Sequence, residues 1–271
     1  MQNTFFSLPA DVYRNRRLIG KLAKNDFKTM YAGSYFGAVW AFVQPVVTIF
    51  VYWFVFSVGF RSDTGELGVP FVLYLVAGIV PWFFFQDALM GGTNALLEYN
   101  YLVKKVVFNI SVLPVVKILS ALFVHCFFVV LTVVLYLLHG RFPDLYYIQI
   151  FYYTFCVIAL VLGLCYATSA LVVFFRDLTQ IISILLQIGV WLTPIMWIAE
   201  TSLQGNLFLQ KLLQFNPMYY VVSGYRDVFI MKHWFWERPG WTLYFWVFTA
   251  ACYVLGSWIF NRLRVHFADV L

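Results

Sequence analysis

Long, uninterrupted apolar runs constrain this chain more than any other feature. Six stretches, residues 36–60, 70–90, 112–138, 146–175, 178–199 and 241–260, are almost wholly hydrophobic. A hydrocarbon layer ~30 Å thick is crossed by about 20 helical residues, so each stretch is long enough to span a bilayer. The runs lack the apolar/polar alternation of a barrel strand. A helix is the element that satisfies its own backbone in lipid. With 63 % hydrophobic and 11 % charged residues, the 271-residue chain could not cover a soluble surface. The expected fold is an all-α integral membrane protein with six transmembrane helices. Residues 1–35 form its N-terminal segment and residues 36–271 its membrane domain.

Basic residues orient the bundle. Arg14, Arg16, Arg17, Lys21, Lys24 and Lys28 precede the first run, Lys104 and Lys105 follow the second, Arg176 follows the fourth, and Arg262 and Arg264 follow the last. The opposite side holds Arg61 and Arg141 in its first two connections. Its third connection is long, so its Lys and Arg weigh less. The positive-inside rule puts both termini in the cytoplasm. The net charge of +6 is spent at the ends of apolar runs, which argues against a nucleic-acid partner. Residues 1–35 lack the short apolar core of a cleavable signal, so none is expected.

Two connections carry more than linkage. Within residues 11–33, Ile19, Leu22, Ala23, Phe27 and Met30 follow helical spacing, while Arg17, Lys21, Lys24 and Lys28 share another face. This pattern predicts an amphipathic helix in the headgroup plane. It serves either as a topology anchor or as an entrance for a lipid-bearing substrate. Residues 201–240 form an external connection whose middle, 207–230, is largely apolar and is broken at Asn216-Pro217. Neither half is long enough to span. The expectation is a pair of short re-entrant helices before the last span, with a simple amphipathic hairpin as the alternative.

The chemistry is sparse. The chain has no G-x-x-x-x-G-K-[ST] loop for nucleotide, no H-E-x-x-H and no G-x-S-x-G. Cys126, Cys156, Cys165 and Cys252 lie in apolar runs without a CxxC pair and read as packing residues. His125 lies within the third run and reads as a hydrogen-bonding residue of the bundle, with a proton relay as the alternative. Asp87 and Lys117 lie near the inner ends of the second and third runs, and Lys117 can snorkel to the interface. So few intramembrane charges argue against a carrier driven by protons or sodium. Aromatic residues make up 21 % of the chain, more than interfacial belts require. Their faces suit the C–H-rich faces of sugars, and Trp40, Tyr52, Phe84 and Phe85 are the candidate lining residues. The inner connection, residues 94–111, mixes charge with apolar anchors. Glu98, Tyr99, Tyr101, Lys104 and Lys105 are its candidate contacts with a cytoplasmic partner, the alternative being an ordinary basic loop.

Taken together, several short pieces carry a resemblance. They are Lys24-Asn25-Asp26-Phe27-Lys28 with Ser34-Tyr35-Phe36-Gly37 and Trp40, Ala77-Gly78-Ile79-Val80-Pro81-Trp82-Phe83, and Leu102-Val103-Lys104-Lys105. Phe175-Arg176-Asp177-Leu178, Thr193-Pro194-Ile195, Asn216-Pro217-Met218 and Tyr225-Arg226 complete the set. In this order the chain resembles the membrane subunit of ABC-2-type exporters of cell-surface polysaccharides. The stretches Tyr52-Trp53-Phe54-Val55-Phe56, Gly59-Phe60-Arg61 and Val69-Pro70-Phe71 are most similar to the teichoic acid translocation permeases. O-antigen and capsular polysaccharide permeases are the near alternative, and small-molecule or lipid exporters a more distant one. Asn25 departs from the arginine that many relatives place before the aspartate.

The resemblance implies a permease in the bacterial cytoplasmic membrane that is not an enzyme by itself. It implies a homodimer in which each copy docks, through residues 94–111, on a separate ATPase that holds ATP and Mg2+. It also implies a polymer on a polyprenyl pyrophosphate lipid as substrate, admitted beside Arg17, Lys21, Lys24 and Lys28.

Overall fold

The computed structural model describes residues 4–30, 35–62, 64–103, 109–203 and 206–270. Among them the secondary structure is helical, with no strand. Five helices are long and apolar enough to cross a membrane: Gly37–Gly59, Phe71–Glu98, Ile110–Leu138, Leu145–Val172 and Pro239–His266. Their main α-helical parts are α3 (Trp40–Trp53), α4 (Phe71–Glu98), α6 (Leu113–Leu138), α7 (Gln149–Val172) and α12 (Pro239–Leu263).

The helix α4 is the axis of the molecule. In its most apolar stretch 78 % of residues are buried, against 6 % for the first span. It packs against α6 and α7, and more lightly against α3. The second interface joins α7 to α12, where small residues let the backbones meet. A methyl group at Gly163 would lie 2.8 Å from the Tyr253 amide nitrogen.

The expected fifth span departs from its forecast. Helix α8 (Leu178–Leu192) has 15 residues, about 22 Å of rise, which is less than the hydrocarbon thickness. It stops because Thr193 is extended (φ −86°, ψ 124°), the conformation that the following Pro194 imposes. Residues 193–198 turn into the bundle instead, with Ile195 and Met196 buried. The apolar residues beyond Leu192 therefore fold as irregular backbone packed in protein, where such backbone is tolerated at membrane depth.

Three short helices follow: α9 (Ala199–Ser202), α10 (Leu207–Gln214) and α11 (Pro217–Arg226). Asn216 caps α11 by accepting from the Met218 amide, and Pro217 occupies its first turn. Helix α11 packs on α4 and α7 and is buried along most of its length, so it enters the bundle. Tyr74 donates to the Trp197 carbonyl at 3.1 Å, and Asn216 donates to Thr193 Oγ1 at 2.7 Å, tying this hairpin to the break after α8.

At the opposite end, the expected amphipathic helix is two helices, α1 (Thr4–Arg14) and α2 (Arg16–Met30). Ile19 and Ala23 of α2 are buried against Val112 and Val116, so its apolar face packs on α6. Leu8 of α1 joins Tyr99, Val103, Leu113, Phe260 and Phe267 in one cluster. That cluster gathers elements near both chain ends and the short helix α5 (Asn100–Val103) at one end of the bundle. Residues 264–270 close the chain with α13 (Phe267–Val270).

Candidate functional site

Two cavities lie along one face of α4. The one beside α2, inner in the expected topology, has a volume of about 530 Å3 and is bounded by α2, α3, α4, α6 and α8. The α4 residues that face it are Trp82, Phe83, Gln86, Asp87, Met90, Gly91, Asn94 and Glu98, a single stripe at helical spacing. The other, outer in that topology, has a volume of about 700 Å3 and is bounded by the end of the first span, the start of α4, residues 194–202 and α11. Phe71 and Tyr74 continue the α4 stripe into it.

A packed layer separates the two. Gly78 lies one turn from Tyr74 and one turn from Trp82. A methyl group there would lie 3.0 Å from Arg226 Nη2 and 3.4 Å from Ile195 Cγ2 and Val222 Cγ1, so α11 and the segment after α8 close directly on the α4 backbone. Just below, the Trp82 ring rests on Gly189 of α8. The Trp82 Nε1 is buried without a hydrogen-bond partner among the described residues.

Arg226 anchors this layer from the outer side. Its guanidinium lies 3.7 Å from the centre of the Tyr74 ring and donates to the Ile195 carbonyl at 2.8 Å. A cation on an aromatic face in a desolvated site is stabilised by about 2 kcal/mol. The neighbouring Asp227 pairs with Arg238 at 3.1 Å. Burial pushes the Asp227 carboxyl up to about 6, against the pull of Arg238 and His233. His125 accepts or donates at 2.9 Å to the Tyr225 hydroxyl, which also meets Thr154 at 2.8 Å, and it stacks on Phe84. It is a bonded member of the bundle.

The inner end of the same face holds a buried ion network. Lys117 Nζ of α6 donates to Asp26 Oδ1 of α2 at 2.6 Å and to Glu98 Oε2 of α4 at 2.5 Å. The Tyr99 hydroxyl donates to the same Asp26 oxygen at 2.7 Å. Burial, and then the Asp26 carboxylate, push the Tyr99 phenol well above its ordinary value, so it remains a donor. Lys117 therefore does not snorkel. Its side chain is 5 % exposed and is neutralised in place. The network joins the amphipathic helix, the central helix and the start of the inner connection.

The candidate residues separate accordingly. Arg17, Lys21, Lys24 and Lys28 are exposed together on the outer face of α2. Trp40 and Tyr52 line the inner cavity. Phe84 and Phe85 do not: Phe84 packs on His125, and Phe85 against the Trp82 ring. Glu98 and Tyr99 are committed to the ion network, while Tyr101 is 56 % exposed. Lys104 and Lys105 lie outside the described residues. Asp26 escaped the sequence reading, although a signal was there. It continues the buried face of Ile19 and Ala23 at the next helical position, where an acid requires a partner.

Comparison with known proteins assigns the family. The model of the ABC-2 type transporter family matches residues 17–230. The O-antigen export system permease protein RfbA of Myxococcus xanthus is 29 % identical over 82 % of this chain and 84 % of its own length. Two proteins of that name from Klebsiella pneumoniae are 25 % and 24 % identical, each over 94 % of this chain and 95 % of their own. With five long apolar helices, this is a multi-pass protein of the cytoplasmic membrane. The family match covers nearly all of α2, the central helix, the inner cavity, most of the outer cavity and the hairpin of α10 and α11, and the chain belongs to the ABC-2 type transporter family.

Proposed function

We propose that this chain is the membrane subunit of an ATP-driven exporter of a lipid-linked cell-surface polysaccharide. The observation that carries the reading is the pair of cavities on one face of the central helix, in a chain whose relatives over more than nine-tenths of its length are O-antigen export permeases. A path divided by one packed layer suits alternating access from the two sides. Two copies would face each other across the sparsely buried first span and α8. A separate ATPase, carrying ATP and Mg2+, would dock on residues 94–111.

In this reading the chain crosses the membrane six times, α8 and the turn after it completing one crossing, and both termini are cytoplasmic. The shared packing of α1, α5 and α13 supports a common side for the chain ends. The polymer rides on polyprenyl pyrophosphate and enters beside Arg17, Lys21, Lys24 and Lys28. The relatives favour an O-antigen-type glycan. Wall teichoic acid is the second reading, resting on residues 52–61 and 69–71.

Deletion of the gene in its own host tests the reading. Surface polysaccharide should disappear while the lipid-linked polymer accumulates inside. Normal surface polysaccharide in the deletion strain would refute it.

A further inference from the structure

Four polar side chains on α3, α4 and α8 make no polar contact among the described residues. Gln44 of α3, Gln86 and Asp87 of α4, and Gln187 of α8 all line the inner cavity, and all are exposed to it. None has a hydrogen-bond or ion-pair partner among the described residues. Asp87 lies 11 residues before Glu98, about 16 Å along the helix axis, so it is well inside the apolar span. Polar side chains unpaired in hydrocarbon are costly, and those that persist there mark paths for polar ligands. Four of them converge from three helices on one space.

The chemistry of the lining defines what would fill that space. A carboxylate only accepts, whereas a carboxamide both donates and accepts, so together they match hydroxyl groups, which also do both. Trp40, Tyr52 and Phe83 add aromatic surface to the same cavity. The charge balance narrows the class further. The charged residues described in the lining are Asp26, Asp87, Glu98 and Lys117, three carboxylates against one ammonium. That ammonium is already held by two of the carboxylates. A phosphate-rich polymer would meet net negative charge here and no free cation in the described lining, in surroundings where repulsion is poorly screened.

We infer that Gln44, Gln86, Asp87 and Gln187 form a binding site for an uncharged, hydroxyl-rich glycan segment, and that this site disfavours polyol-phosphate polymers. The inference rests on the export function proposed above and sharpens it toward neutral glycans. The basic face of α2 is left to meet the pyrophosphate outside the cavity.

The test uses the full chain in its host. A deletion strain is complemented with wild type, with Gln86→Leu/Gln187→Leu, with Asp87→Leu and with Asp87→Asn, at equal membrane levels. Both Leu variants should lower surface glycan at least tenfold, whereas Asp87→Asn, which still binds hydroxyls, should stay within about threefold of wild type. Leucine suits an apolar span, so insertion should hold. Gln86→Cys and Gln187→Cys, each in a background lacking the four native cysteines, supply a readout independent of export. A water-soluble maleimide should label both, at least threefold more slowly in cells making the glycan than in cells blocked at its first glycosyl transfer. The polymer that accumulates in the deletion strain should contain little phosphate. Wild-type export by the Leu variants, absence of labelling, labelling indifferent to glycan synthesis, or a polyol-phosphate polymer would each overturn the inference. If the deletion strain keeps its surface glycan, the export function itself fails.

Discussion

Replacing Lys117 by methionine should destabilise the protein through Asp26. Methionine keeps the length and apolar stem of the side chain and removes the charge. It leaves the Asp26 carboxylate 5 % exposed, with the Tyr99 hydroxyl on Oδ1 and no hydrogen-bond partner on Oδ2 among the described residues. Breaking a buried pair by removing one member costs about 3–5 kcal/mol, because the survivor is an uncompensated buried charge. The Tyr99 hydrogen bond persists, so the lower end, about 3 kcal/mol, applies. Glu98 adds little, since its side chain is 52 % exposed and hydrates when released. For a chain of this size, about 3 kcal/mol corresponds to a fall of about 6–12 °C in melting temperature. The ten tryptophans give a fluorescence signal for thermal unfolding of the purified protein in detergent. Asp26→Asn/Lys117→Met, which removes both charges, should recover about 2 kcal/mol relative to the sum of the single changes. A Lys117→Met melting point within 1 °C of wild type, or additive single changes, would refute the network as a stabilising unit.

Other changes test separate parts. Gly163→Leu should drive α7 from the Tyr253 backbone and abolish the folded monomer on gel filtration, whereas Gly163→Ala should cost about 1–3 kcal/mol. The folded-state value of Asp227, about 6, lies above the ordinary 3.8, so proton binding favours the folded state. Its contribution is complete below pH 4 and is lost as pH rises through 6. That difference corresponds to about 3 kcal/mol, and Asp227→Asn should reduce the loss of stability between pH 4 and 7 by that amount, read as a smaller fall in melting temperature. An unchanged slope would contradict the burial argument. Neutralising Arg17, Lys21, Lys24 and Lys28 together should impair export of the lipid-linked polymer without lowering basal ATP hydrolysis, and unchanged export would remove the entrance assignment.

The sequence and the structure agree where the length of an apolar run alone decides. Five of the six long apolar runs become helices of spanning length, because lipid offers their backbone no other partner. The hairpin at Asn216-Pro217 was legible for the same reason: apolar composition without spanning length. The shortened α8 was written in Thr193-Pro194, but a continuous apolar run hides a break whose cause is a single backbone angle. The ion network was hidden by distance along the chain, since Lys117 is 91 residues from Asp26 and only the fold brings them within 2.6 Å. Each was visible singly, as an acid on an apolar helix face and a lysine in an apolar span. The aromatic lining was half legible. Trp40 and Tyr52 face the cavity, while Phe84 and Phe85 fall on other sides of α4, because adjacent residues on a helix point about 100° apart.

In the proposed function a separate ATPase drives export. Reconstitution of this protein with its ATPase in liposomes, with the host's lipid-linked glycan in the outer leaflet beside the ATPase, measures it directly. Hydrolysis should rise with glycan, and the glycan should become protected inside the vesicles only when ATP is supplied. Charge reversal at Lys104 and Lys105, or truncation of Tyr101, should remove that stimulation while the helices still insert. Hydrolysis indifferent to glycan, or glycan transfer that proceeds without ATP, would contradict the account.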